Sequence, residues 1–423
     1  MILDGFDVAI IGAGLSGLTA AAKAAEEGKK VLVVAKGAGV VELSSGCIDL
    51  WGYCLDRPHQ VCRRPLDEIA SLVAVNPDHP YAKVWDVLEE SLDFFLRVCS
   101  ENDCPYLEKR GGNWLLPTAL GTVRPTYLAP ATMAVESLEL AKGILVVGFR
   151  ELKDFYPEVL AANLKRNLEL NPGCRLSAAM VSVGGGELTP NALANRLEQP
   201  EVLTGVISQV KPLLSPGYLA LFPPVLGERR NARVAGDLAE GLECPAYEVA
   251  NIPPALPGQR LYRTLLHHLK NLGVEVIIGS QVTGADISGR RCLGITAAGA
   301  TGTLKISART FVLATGSFLG GGLEAGPGRV YEPVFNLPVT AARGEWSEKD
   351  FLCLGGHPFS RFGIAVNERL QPLDGRGRVL VENLMVTGAS LAGCDYTVEK
   401  CGNGVAVATG YKAGKLAAGE VVR

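Results

Sequence analysis

The sequence has no C-x-x-C pair, no strong charge imbalance and no apolar run long enough to cross a bilayer. Each shortage excludes something. Lys plus Arg number 41 against 44 Asp plus Glu, a net charge of −3, so a nucleic-acid partner is not expected. The eleven cysteines come closest at Cys99 and Cys104. That spacing argues against a self-contained iron–sulfur or zinc site, and no metal is expected. A reduced, cytosolic set of thiols is the simpler reading. The N-terminus carries Asp4 and Asp7 and no basic n-region, so it does not read as a signal peptide. Ile144–Phe149 is only strand-length, and the run Phe311–Gly322 is broken by glycines, so neither is a bilayer span. The chain also lacks G-x-x-x-x-G-K-[ST], H-E-x-x-H and G-x-S-x-G. Kinase, zinc-protease and serine-hydrolase readings therefore have no signature to stand on.

Glycine is what the chain has in excess: 50 of 423 residues, against a usual share of roughly 7%. Hydrophobic residues make up 48% and charged residues 20%, enough apolar material for a large core. Length alone suggests roughly two or three domains.

The first glycines fall in a pattern. Val8–Ile11 is a short apolar run, as a buried parallel strand should be. Gly12, Gly14 and Gly17 follow as G-x-G-x-x-G, enclosing Leu15 and Ser16. The first glycine permits a tight turn, the second lets a phosphate approach the backbone, and the third lets helix pack on strand. Leu15–Glu27 reads as a helix with Gly28 just past its end, and Val31–Ala35 as a second buried strand. The free amides and positive end of that helix would face an anion. One part is missing. The second strand should end in Asp or Glu for an adenosine ribose, and here the chain reads Ala35-Lys36-Gly37. A phosphate cradle without a ribose clamp favours a cofactor ending at one phosphate, such as FMN. FAD stays open if Glu42 or another nearby acid substitutes.

Further along, Ser44-Ser45-Gly46 offers small residues that could approach a ring closely. Helices are expected over Arg57–Val75 and Tyr81–Cys99, and a strand–turn–strand over 113–128. Ile144–Gly148 opens a second α/β region. It continues through helices at Phe155–Leu170, Ala192–Leu197 and Val202–Lys211, and strands at Arg175–Val183 and Tyr218–Phe222. Pro257–Leu272 is a strong amphipathic helix, and the segments from Val274 to Ile306 read as strands of an antiparallel element. Phe311–Ala314 is an apolar strand leading into Thr315-Gly316, then Gly320-Gly321-Gly322. Val379–Gly388 reads as a returning strand. Gly402-Asn403-Gly404 opens a last helix running to about Val421, whose N-terminus could face a flavin pyrimidine. This gives three segments: 1–135, the first part of a nucleotide-binding domain; 136–250, an inserted α/β domain; and 251–423, the return.

These pieces together resemble a known family, the B subunits of anaerobic glycerol-3-phosphate dehydrogenase. The resemblance is carried by Gly12–Leu18, Ser44–Leu50, Ala314–Leu323, Thr340–Trp346 with its Arg343-Gly344-Glu345-Trp346, Arg361-Phe362-Gly363, Glu382-Asn383-Leu384 and Cys401–Val405. It implies an α/β fold of the Rossmann-like two-dinucleotide-binding-domain flavoprotein type (the FAD/NAD(P)-binding fold) with an inserted α/β domain. It implies a flavoprotein subunit using FMN, paired with a second flavin subunit and with an iron–sulfur, membrane-associated subunit that couples the pair to the quinone pool. The reaction implied takes sn-glycerol 3-phosphate and quinone to dihydroxyacetone phosphate and quinol, either performed here or relayed through this chain. The expected place is cytoplasmic, peripheral at the inner face of the membrane through a partner. Gly388 joins the glycines expected at the cofactor. Arg343, His357 and Arg361 are candidates for holding the phosphate and taking the proton, because they cluster between the two cofactor-facing pieces. Two other classes remain open at this point: another flavin oxidoreductase of the fumarate-reductase-like or tRNA-modifying kind, and a cofactor-free structural subunit.

Overall fold

The computed structural model describes residues 1–57, 60–136, 138–168, 170–250, 255–300, 302–341, 344 and 346–419. The chain divides into two compact units. The first comprises Met1–Val41, Asp49–Val98 and Tyr262–Arg423, and the second Glu42–Ile48 and Cys99–Leu261. The expected divisions at 135/136 and 250/251 both fall inside the second unit.

The first unit is built on a sheet whose centre is the anticipated βαβ motif. Strand β1 (Ile2–Ile11) is followed by helix α1 (Leu15–Glu26) and strand β2 (Val31–Ala35). Val8, Ala9, Ile10 and all of β2 are buried. Unbroken apolar runs of this kind suit a strand covered on both faces. Each buried Val, Leu or Ile contributes about 1.5–3 kcal/mol relative to exposure. Gly302–Leu313 lies parallel to β1 on the side away from β2, with Ile11 opposite Leu313. Its outer edge is shared. Leu384–Val386 pairs in parallel with Phe311–Leu313, and Arg291–Gly299 pairs antiparallel with Gly302–Ile306. Ser280–Ser288 completes that antiparallel side.

The structure corrects one assignment. Glu275–Ile278 is not part of the antiparallel element; it pairs in parallel with β2, from Glu275 opposite Leu32 to Ile278 opposite Ala35. It follows the helix Leu256–Asn271 directly, and a strand reached through a helix returns parallel. Other expected elements are shorter than read. The helix read over Arg57–Val75 is Pro65–Val75, and the one read over Tyr81–Cys99 resolves into short 3₁₀ turns before Leu88–Glu101. The returning strand is Leu384–Val386, and the last helix is Gly402–Ala417.

That last helix is buried almost all round, which marks a helix enclosed by its own domain. It packs on α1 backbone to backbone. A methyl group on Gly410 would stand 2.3 Å from the Ser16 carbonyl oxygen, and one on Gly414 2.7 Å from that of Ala20. Its buried Lys412 is neutralised by Asp86, with Nζ donating at 2.9 and 3.1 Å and to the Lys83 carbonyl at 2.7 Å.

The second unit holds a four-stranded parallel sheet in the order Ala246–Glu248, Tyr218–Phe222, Gly143–Phe149, Arg175–Val181. Helices Pro157–Asn167, Pro190–Leu197, Pro200–Val210 and Asn231–Leu242 contribute Leu160, Leu164, Leu193, Val206 and Leu238 to its core. Proline opens the first turn of the first three, where its missing N–H costs nothing. Within this unit Glu248 is fully buried. Its carboxylate accepts from Thr132 Oγ1 at 2.6 Å, Leu226 N at 2.7 Å and both Nη groups of Arg260 at 2.7 and 2.9 Å. A buried charge needs that many partners to persist.

Candidate functional site

The site grows from the turn after β1. Gly12 sits at φ +115°, where a side chain is strained, and its Cβ would lie 2.3 Å from the Ala314 carbonyl oxygen. Two strand ends, β1 and Gly302–Leu313, therefore meet through bare backbone. A Cβ on Gly17 would lie 2.1 Å from the Gly12 carbonyl oxygen, so the first turn of α1 folds tightly over the strand end. Gly14 differs from both. It caps α1 in an extended conformation (φ −77°, ψ 178°), and a Cβ there would meet nothing within 4 Å. No side chain caps α1, and no acidic residue lies in its first turn. The amide-bearing end of a 12-residue helix thus opens on space beside a glycine. That is the arrangement a phosphate needs. Leu15 and Ser16 lie buried in that turn.

Three glycine-bearing turns surround it. Gly39, at φ +70°, brings its backbone to within 3.1 Å (from a would-be Cβ) of Gly14 Cα. Gly388, at φ +65°, lies over Ser16, whose Oγ a Cβ would meet at 2.5 Å; the Gly388 amide donates to Thr409 Oγ1 at 2.9 Å. Ser390 Oγ donates to the Gly316 carbonyl at 3.0 Å, tying this turn to the one at Thr315-Gly316. Gly322 packs against the Gly316 carbonyl and the Thr315 hydroxyl. Thr315 Oγ1 is buried without a hydrogen-bond partner among the described residues. A buried hydroxyl left so is a costly feature that a bound polar ligand would relieve. These observations fit a phosphate-bearing cofactor at the start of α1.

The strand that should supply a ribose ligand ends as the sequence reads, in Ala35, with Lys36 exposed beyond it. Glu42 lies in a short 3₁₀ turn, Val40–Leu43.

Gly402, Asn403 and Gly404 begin the last helix as expected, but their geometry is unlike that of Gly14. The Gly404 amide donates to the Asp49 carbonyl at 3.0 Å. A Cβ on Gly404 would stand 2.5 Å from Leu50 Cδ2 and 2.5 Å from the Tyr81 hydroxyl. The Gly404 position therefore serves close packing. The Tyr81 phenol beneath it is held neutral by burial, which pushes its pKa well up, and it donates to the Leu50 carbonyl at 2.8 Å.

Ser44-Ser45-Gly46 belongs to the second unit. Ser44 Oγ accepts from the Gly46 amide at 3.2 Å and Ser45 Oγ from the Cys47 amide at 3.4 Å. Gly46, at φ +77°, gives its carbonyl to the Tyr106 hydroxyl at 2.7 Å. The serines shape this turn through their own backbone.

Of the three expected catalytic side chains, Arg343 lies outside the described residues. His357 has both ring nitrogens engaged by backbone: Nδ1 accepts from Glu348 N at 3.0 Å, and Nε2 stands 3.1 Å from the Phe351 carbonyl. Its ring stacks on Phe359 at 5.5 Å. In this geometry the imidazole ties its own loop together. Arg361 is half-exposed, with Nη2 3.6 Å from the buried carboxylate of Asp395 and 3.4 Å from the Gly355 carbonyl. It is the one described member of the trio with a charged head still reaching solvent.

The sequence reading missed a cluster altogether. His79, Cys394, Glu399 and Cys401 bring one reactive atom each to within 4.8 Å of one another. The signal in the sequence was a pair of cysteines, Cys394 and Cys401, just before the last helix.

Comparison with known proteins points to one family. A model of the FAD binding domain matches residues 7–405. The chain is 31% identical over 423 residues to the B subunit of anaerobic glycerol-3-phosphate dehydrogenase of Vibrio cholerae, covering 96% of this chain and 95% of that one. It is 32% identical over 434 residues to a probable B subunit of anaerobic glycerol-3-phosphate dehydrogenase of Halobacterium salinarum, with 97% of each covered. Among solved structures, 3-ketosteroid delta1-dehydrogenase from Sterolibacterium denitrificans aligns with 98% of this chain and 99% of its own, at 11% identity and a TM-score of 0.47. Escherichia coli quinol fumarate reductase FrdA aligns with 99% of this chain and 71% of its own, at 10% identity and a TM-score of 0.40.

Proposed function

The chain belongs to the family of anaerobic glycerol-3-phosphate dehydrogenase B subunits, and from that premise we propose that it is the flavin-holding subunit of a quinone-linked glycerol-3-phosphate dehydrogenase. The observation that carries the reading is the open start of α1 at Gly14, uncapped and without a nearby Cβ contact. In this reading the amides of Leu15, Ser16 and Gly17 hold the flavin phosphate. Thr315, Gly316, Gly388 and the Ser390-tied turn line the nucleotide. A bound flavin would supply two-electron, hydride-accepting chemistry.

FMN is the form we favour, because β2 ends in Ala35-Lys36 with no carboxylate for an adenosine ribose. FAD is the second reading, favoured by the name of the matching family model. Arg361, with Arg343, supplies positive charge to a substrate phosphate. Ser44, Ser45, Gly46, Gly402 and Asn403 remain proposed cofactor neighbours. His357 remains a proposed substrate-side residue, and its ring contacts hold the loop that leads to Arg361. The proposed assembly adds a second flavin subunit and an iron–sulfur subunit at the membrane. None of the described helices is long and apolar enough to cross a bilayer, and the proposed membrane attachment is through the iron–sulfur partner.

The test is an absorbance spectrum of the purified chain, alone and with its co-expressed partner subunits, followed by chromatography of the acid-released nucleotide. Released FMN is expected. Released FAD would overturn the argument from Ala35-Lys36 while keeping the flavin site. A colourless protein in both preparations would remove the flavin reading itself. Arg361→Ala in the assembled complex should raise KM for glycerol 3-phosphate without loss of bound flavin; an unchanged KM would take Arg361 out of the substrate site.

A further inference from the structure

At the start of the last helix, two cysteines stand face to face. Cys394 Sγ and Cys401 Sγ are 3.1 Å apart. Cys401 is fully buried and occupies the helix N-cap position; Cys394 is half-buried. Cys401 Sγ also lies 3.3 Å from Glu399 Oε2, and that carboxylate oxygen lies 3.2 Å from His79 Nε2. His79 is buried between Trp51, edge-on at 5.9 Å, and Tyr81, stacked at 5.4 Å. Thiol, thiol, carboxylate and imidazole are thus held together by one loop, Cys394–Cys401, and one distant turn.

Four such groups could mark either a cation site or reactive sulfur, and the imidazole separates the two. The Tyr81 amide donates to His79 Nδ1 at 3.1 Å. An amide donor needs a lone pair there, so the ring proton sits on Nε2, the nitrogen facing the cluster. An Nε2 that carries a proton has no lone pair for a metal. It can instead donate to an anionic neighbour. Burial alone would lower the His79 pKa, and hydrogen bonds to Cys394 and Glu399 overturn that, pushing it up to about 9. In this geometry Nδ1 is taken up as an acceptor of the Tyr81 amide, and the proton the ring presents to the cluster is the one on Nε2. The two thiols differ in the same field. A hydrogen bond from Cys401 lowers the Cys394 pKa against the opposing effect of burial, with His79 helping. Burial pushes that of Cys401 up. One sulfur is the more accessible and inclined to be a thiolate; the other is enclosed and protonated.

We propose that Cys394 and Cys401 are a reactive dithiol that exchanges with small-molecule or protein disulfides, Cys394 attacking and Cys401 resolving. The Cys394 thiolate displaces one sulfur of R–S–S–R, forming a Cys394–S–S–R bond and releasing RS⁻. Cys401 then attacks the Cys394 sulfur and displaces the second RS⁻. Its thiol proton leaves through Glu399 and ends on one of the two leaving thiolates. The dithiol is oxidised by two electrons and the incoming disulfide reduced by two; the products are the Cys394–Cys401 disulfide, one RSH and one RS⁻. His79 is a positioning residue: its Nε2 stands 3.2 Å from Glu399 Oε2 and so fixes the carboxylate that faces the Cys401 sulfur.

The experiment uses the reduced full-length chain and glutathione disulfide as the probe, with thiol titration and peptide mass mapping. The expected product is an internal disulfide between Cys394 and Cys401, formed on the order of ten-fold faster than any adduct at the half-buried Cys174, Cys244 or Cys353. In Cys401→Ser, a single glutathione adduct should accumulate on Cys394, because the resolving sulfur is gone. The pH profile of Cys394 alkylation by iodoacetamide in the unmutated protein serves as a readout that needs no variant to fold. Its midpoint should lie below that of the other cysteines, and rise in His79→Gln. Adducts spread evenly over the half-buried cysteines would overturn the proposal. So would one equivalent of a thiophilic metal in the purified protein that shields both sulfurs until a chelator removes it.

Discussion

Two helices of the first unit begin in the same way on paper. Both α1 and the last helix start at glycines, lack a side-chain cap and carry no acid in the first turn. In space they differ. At Gly14 a Cβ would meet nothing within 4 Å, whereas at Gly404 it would strike Leu50, Tyr81 and the Asp49 backbone. Gly14, just before its helix, leaves room for something that is not protein; Gly404, third in its helix as Gly17 is in α1, lets protein close in. A glycine-rich helix start is therefore not in itself a ligand site; the space beyond the missing Cβ decides.

The contrast can be broken by substitution. The largest effect belongs to Gly12→Val, where a positive φ and a carbonyl 2.3 Å away leave no relaxed solution. Destabilisation on the order of 4 kcal/mol or more is expected, read as loss of soluble, cooperatively melting protein. Gly404→Ala comes next. Overpacking should cost about 1–3 kcal/mol in urea unfolding, with flavin content of the folded fraction unchanged. Loss of flavin with no loss of stability would reverse the roles assigned to the two helix starts. Gly14→Ala should leave stability within about 0.5 kcal/mol. Its flavin affinity should fall by roughly ten-fold, equivalent to about 1.4 kcal/mol. The smallest effect is a sharpening one. Lys36→Glu places a carboxylate at the end of β2 and should shift the released nucleotide from FMN toward FAD, with no change in melting temperature. Unchanged FMN would show that the ribose clamp alone does not set the choice.

Legibility in the sequence followed the range of the interactions. The βαβ motif was readable because its strand, turn and helix are contiguous and each carries its own signal, from Val8 to Ala35. The sheet Gly143–Phe149, Arg175–Val181, Tyr218–Phe222 was readable for the same reason. The helix Asn231–Leu242 was not read. Gly236 and Gly241 weaken its local propensity, and its existence rests on burying Val234, Leu238 and Leu242. Glu275–Ile278 was placed in the wrong pairing because alternation along a strand says nothing about which neighbour it joins. The reactive cluster was invisible, since His79 and Glu399 are 320 residues apart in the chain. The loop role of His357 was equally hidden, because nothing local shows that backbone groups take both ring nitrogens.

The glycine contacts between α1 and the last helix carry a consequence for how the protein is made. Gly410 and Gly414 close on Ser16 and Ala20 with no side chain between them, so the inner face of α1 is completed by residues synthesised long after it. At a synthesis rate of roughly 5–20 residues per second, the N-terminal βαβ motif waits on the order of half a minute for that partner. During that interval its apolar helix face is uncovered, a natural client surface for a chaperone. In the proposed reading, capture of the flavin phosphate is accordingly a late event in the life of the nascent chain, because Gly388 and Ser390 are synthesised long after Gly14.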